Sequence, residues 1–151
     1  MDYKKLLLAA IAYAAVSQIV MSLGAVLVDM PYYADPAYAG VWSRTMMPGQ
    51  GPPPAEFYIL STVAALVMGA IFASVYPVVM DKLKGVKTFR SEEGWMTGMK
   101  YGLVVFLLAG LNMLTLPLLF NIPLALGFSW AAQSLASYLI AGALVGKIYG
   151  K

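Results

Sequence analysis

The chain has 151 residues, 61% hydrophobic and 11% charged, with a net charge of +3 and neither cysteine nor histidine. A soluble domain is about 45–50% apolar and about 25% charged, so this composition, with a mean hydropathy of +0.76, excludes a soluble globular enzyme, a disordered tail and a disulfide scaffold and indicates an integral membrane protein. The missing residue types remove thiol nucleophiles, imidazole bases and Cys- or His-ligated metals; no catalytic residue, cofactor, metal or nucleic-acid partner is expected.

A membrane-crossing helix needs about 20 mostly apolar residues, and four stretches qualify. The first, 6–28, lies between Lys4-Lys5 and Asp29. Its basic start and small residues suit a signal peptide, but its apolar run is too long for one, so a retained helix is expected. The connection from Asp29 to Glu56 carries Tyr32, Tyr33, Tyr38 and Trp42. Asp35-Pro36 reads as an N-cap followed by proline at the first helical position. Tyr38, Val41, Trp42 and Thr45 then fall at helical spacing, which predicts a short interfacial helix over 36–46. Tyr33, Tyr38, Trp42 and Arg44 make this loop either an aromatic belt and lid or a docking surface. Arg44 is expected to pair with Asp29, Asp35 or Glu56, or to hold a lipid phosphate.

The second span, 55–79, follows Pro52-Pro53-Pro54, and Pro77 kinks its end. The third, 94–116, starts after Ser91, a capping residue, and the acids Glu92 and Glu93, and stops near Pro117. Lys100 snorkels from its second turn. An apolar turn over 118–122 leads to the fourth span, 128–145, which fades into Lys147. Nine of the ten Lys and Arg residues flank one set of span ends and only Arg44 flanks the other. The positive-inside rule then places both termini and the 81–93 loop in the cytoplasm. Two hairpins that both start inside are parallel repeats, which argues against an inverted-repeat exporter. The expected fold is all-α: one integral-membrane domain, a four-transmembrane-helix bundle with N-in/C-in topology.

Small residues recur at four-residue steps: Ser61, Ala65, Gly69 and Ala73; Gly94, Gly98 and Gly102; Ser137 and Ala141; Gly142, Gly146 and Gly150. In lipid, close backbone contact through such residues supplies the packing that hydrophobicity does not. The two glycine runs serve equally well for internal packing or for contact with another subunit. Gln18, Asn112 and Gln133 read as hydrogen-bonded ties between helices, with Ser137 on the Gln133 face. The alternative is a polar lining for a solute path. No Asp, Glu or Arg falls mid-span, where proton-coupled transport usually needs one.

Tyr32-Tyr33, Pro36, Gly40 and Trp42 resemble the motif of a small uncharacterised four-helix integral-membrane protein family, which carries aromatic-Tyr-Ser-Pro, then Gly, then Trp after its first helix. The glycine-rich third and fourth helices are also similar. Here Ala34-Asp35 stands where the family shows Ser before Pro. The resemblance implies architecture and no activity. The leading expectation is a non-enzymatic membrane subunit that packs through its Gly/Ala/Ser faces and aromatic loop. Its expected partners are membrane lipids and a homo-oligomer or larger membrane complex, in a prokaryotic cell membrane. The alternatives are a small uniporter-like transporter or channel, and an outer-face lipid-acting enzyme using Asp29, Asp35 or Glu56.

Overall fold

The computed structural model describes residues 2–38, 40–47, 52–83, 86 and 93–150. Over these residues the protein is helical, with four helices long and apolar enough to cross a membrane. Helix α1 spans Tyr3–Gly24 and is capped by Asp2, whose carboxylate accepts the backbone N–H groups of Lys4 at 3.0 Å and Lys5 at 3.3 Å. The winding then widens into a π turn, Ala25–Asp29, and closes with an α turn, Met30–Tyr33. The first apolar helix therefore runs on to Tyr33. Asp29, read from sequence as its flank, lies inside it. Pro31 lies inside this continuous run, in its closing segment Met30–Tyr33.

Helix α2 spans Ala55–Leu83 and contains Pro77. Helix α3 spans Gly94–Ala109 and is prolonged by a 3-10 segment, Gly110–Thr115, and a short turn, Leu116–Leu119. Pro117 falls in the first turn of that last piece and so does not stop the chain where expected. Helix α4 spans Leu124–Tyr149. Within the helix expected over 36–46 the described residues form a 3-10 turn, Pro36–Tyr38, and turns over 40–46, and Ala39 lies outside the described residues. Asp35 caps as its position suggests, accepting the Ala37 N–H at 2.9 Å. Ser43 then starts a turn of its own, its Oγ and carbonyl both accepting the Met46 N–H. Such local side-chain bonds compete with helix continuation. Ser91 and Glu92 lie outside the described residues.

The contacts fix an up-and-down topology. Gly94 meets Gly146, Gly98 meets Gly142 and Gly102 meets Tyr138. Each four-residue step up α3 is a step down α4, so the two are antiparallel. Gly69 against Ala10 and Ser61 against Gln18 make α1 and α2 antiparallel in the same way. Across the bundle the order is α2, α1, α4, α3, and α2 touches α3 and α4 only sparsely. Lys4, Lys5, Lys82, Lys100 and Lys147 therefore share one end, called here the basic end.

The α3–α4 seam is backbone on backbone. A Cβ added to Gly98 would fall on the Gly142 carbonyl, and one added to Gly142 on the Gly98 carbonyl. The two glycine runs thus face each other within one chain rather than outward. The core fills the basic half: Tyr13, Phe72, Tyr76 and Tyr101 interlock among Ala9, Ala73, Met80, Ala141 and Val145. Tyr101 packs tilted against Phe72 with ring centroids 4.7 Å apart and meets Tyr76 edge-on at 5.2 Å. Its hydroxyl donates to the Phe72 carbonyl at 2.8 Å. This ties α3 to α2 with a buried hydrogen bond. Toward the far end α2 has no buried residue before Gly69.

Candidate functional site

Among the described residues Asp29 is the one buried acidic or basic side chain, 4% exposed. Its placement begins with the π turn Ala25–Asp29. A π turn closes i→i+5 bonds, inserts a residue relative to the α repeat, and is found mostly at functional positions. The inserted residue turns Asp29 toward α4, whose first turns present Ser129, Trp130 and Gln133. Trp130 Nε1 donates to Asp29 Oδ2 at 3.1 Å, and Ser129 Oγ donates to Oδ1 at 3.5 Å. Gln133 Nε2 donates in turn to Ser129 Oγ at 2.8 Å. The Gln133 amide occupies the space over Gly24, where any Cβ would collide with it. Gly24 therefore lets the amide chain approach α1.

All of these donors run toward the carboxyl group, which suits an ionised carboxylate that only accepts. No Lys or Arg among the described residues forms an ion pair with it. The long first loop closes over the cluster. Trp42 meets Trp130 edge-on at 5.9 Å, and Tyr33 meets Trp42 edge-on at 4.4 Å. These T-shaped contacts set the electropositive ring edges against electron-rich faces. The Trp42 indole N–H is buried and has no hydrogen-bond partner. A hydrocarbon core of about 30 Å takes about 20 helical residues. Asp29 lies roughly 36 Å along the helix from Lys5, longer than that span.

The other residues singled out in the sequence disperse. Tyr33 and Trp42 join the Asp29 cluster. Tyr38 packs edge-on against Tyr32 at 5.6 Å and, with Val41, Leu116, Phe120, Asn121 and Ile122, lines an open hollow of about 390 Å³. Asn121 Nδ2 donates to the Ala37 carbonyl across it at 3.4 Å. Arg44 is exposed and pairs with none of Asp29, Asp35 or Glu56. Asp29 faces α4 and the Asp35 oxygen is engaged by Ala37, so the expected pairing is corrected. Gln18 Nε2 donates to Ser61 Oγ at 3.3 Å, between α1 and α2. Ser137 is buried on α4, two turns below the Asp29 cluster.

Asn112 departs from expectation. It lies in the 3-10 segment and is exposed, and its side chain ties no helix among the described residues. Only its carbonyl is engaged, by Thr115 Oγ1 at 2.7 Å. The cause is winding: at three residues per turn each side chain rotates about 20° further than in an α-helix. Sequence reasoning also missed Trp130 and Ser129 as partners of Asp29. The signal was a lone acid closing the first span opposite a Ser-Trp-x-x-Gln group opening the last.

No protein-family model matches the chain, and no curated protein or solved structure matches it. The loop motif therefore stays a resemblance, and the functional reading rests on geometry.

Proposed function

We propose that the protein is a non-enzymatic integral-membrane subunit of a homo-oligomer or larger membrane complex. In this reading both termini and the basic end are cytoplasmic, in a prokaryotic cell membrane, and the aromatic loop lies outside. The observation that supports it is the uncovered far half of the bundle. There α2 shields only the stripe of Phe57, Ser61, Ala65 and Leu66, and exposes Ile59, Leu60, Val63 and Val67. On α3 and its extension Leu107, Leu108 and Leu111 are exposed beside the Asn112 amide. A neighbouring membrane helix offers that amide a hydrogen-bond partner, at about 1 kcal/mol or less per bond. The glycine seam is already used inside the chain, so a partner meets this other face.

The transport and enzyme readings have less support. Gln18, Gln133 and Asn112 do not meet on one face, and Asp35 and Glu56 are exposed rather than gathered with Asp29. Purification in mild detergent tests the proposal. The wild type is expected to elute as an assembly larger than one chain. Asn112→Leu and Val63→Trp are expected to shift it toward the monomer with helicity unchanged. Isolation only as a lone monomer, with no stoichiometric partner, overturns the proposal.

A further inference from the structure

We propose that Asp29, Trp130 and Trp42 form a binding site for an ammonium-type cation at the outer end of the bundle. The inference goes beyond the subunit reading and does not depend on it.

Three observations carry it. Both Asp29 oxygens receive donors, and the Gln133–Ser129 bond reinforces one of them, so the cluster is built around negative charge. The carboxyl group is buried with no cation paired to it among the described residues. A carboxylate buried there without a counter-charge costs several kcal/mol, which a cation from outside the chain offsets. Second, the neighbours of the carboxylate are aromatic: Trp130 donates its ring N–H to it, and Trp42 meets Trp130 edge-on. Ring faces attract ammonium groups, with Trp the strongest, and aromatic surfaces beside a carboxylate are the chemistry of ammonium recognition. A hard metal ion instead wants six or more oxygens. Here Asp29, Ser129 and Gln133 are the polar side chains on hand, and the Ser129 hydroxyl is already engaged. Third, the lid is cheap to lift. Trp42 stands on a turn of the long first loop and buries an N–H with no acceptor. A buried unpaired donor costs about 1–3 kcal/mol, and part of that is recovered when the ring swings out. A partial swing parts the Trp42 and Trp130 rings beside the carboxylate, and Trp42 stays as one wall of the opening.

At the depth of Asp29 two sources offer this chemistry: the ammonium of a lipid headgroup and a small ammonium ion in solution. Trp95→Phe leaves Trp42 and Trp130 as the only indoles of the three in the chain. This variant is titrated in a maltoside detergent with tetramethylammonium chloride, against sodium chloride at equal ionic strength, while indole emission is read. A saturable change with tetramethylammonium and none with sodium is expected. Adding Asp29→Asn is expected to weaken it by about tenfold or more. Trp42→Leu, a loop substitution that leaves the helices intact, is expected to weaken it similarly with circular dichroism unchanged.

Nanodiscs separate the sources. If the headgroup is the ligand, phosphatidylcholine discs are silent to added tetramethylammonium while phosphatidylglycerol discs respond. If a dissolved ion is the ligand, both respond. No saturable response in detergent, no response in phosphatidylglycerol discs, or an unchanged response in both Asp29→Asn and Trp42→Leu overturns the site.

Discussion

The basic half and the far half of the bundle use different residues on the same four helices. In the basic half glycines bring α3 and α4 into backbone contact, and tyrosine and phenylalanine rings interlock between α1, α2 and α3. In the far half α2 exposes large aliphatic side chains, and both departures from α winding, Ala25–Asp29 and Gly110–Thr115, occur there. Lipid offers no hydrophobic reward for bringing helices together, so a membrane bundle closes only where shapes interlock or polar groups bond. The basic half meets that condition along a whole seam. In the far half the condition is met locally, at the Gln18–Ser61 bond, the Asp29 cluster and Gly127 against Pro117, while the exposed face of α2 stays free for other contacts.

This contrast ranks the effects of substitution. The largest is expected at Gly98. In Gly98→Ala the new methyl meets the Gly142 backbone, which cannot rotate away. A loss of about 3 kcal/mol is expected, at the upper end of overpacking costs, read by reversible unfolding in detergent. A variant as stable as the wild type breaks the claim that the seam is closed. Next is Tyr101→Phe, which keeps the ring and removes the buried bond to the Phe72 carbonyl. About 1 kcal/mol is expected in the same assay. The smallest effect is expected for Gly24→Ala in the far half. There the obstacle is the end of the flexible Gln133 side chain, not backbone, and it moves aside. A loss well under about 1 kcal/mol is expected, below the usual range for core overpacking. A cost equal to that of Gly98→Ala erases the distinction between the halves.

The four spans were legible because a bilayer demands long apolar runs, and the composition leaves few other places for charge. The small-residue stripes were legible as spacing. Whether Gly98 faced Gly142 or another subunit was not, because that depends on the register between α3 and α4. Asp29 looked like a flanking charge. Its burial comes from Trp130, about a hundred residues away, and from a π turn that no local pattern announces. Asn112 is left exposed in the 3-10 segment Gly110–Thr115, a winding that residue spacing does not reveal. Beyond Tyr38 the loop forms separate turns, with Ser43 bonded to its own following turn.

The central claim is that α2 and α3 meet in the basic half and part in the far half. The chain has no cysteine, so paired labels can be introduced without background. Spin labels at Val78 and Met96 report the basic half, and labels at Leu60 and Leu111 the far half; all four positions are exposed. The far pair is predicted to lie farther apart by on the order of one helix diameter, about 10 Å. Equal separations, or a shorter far pair, would contradict the account.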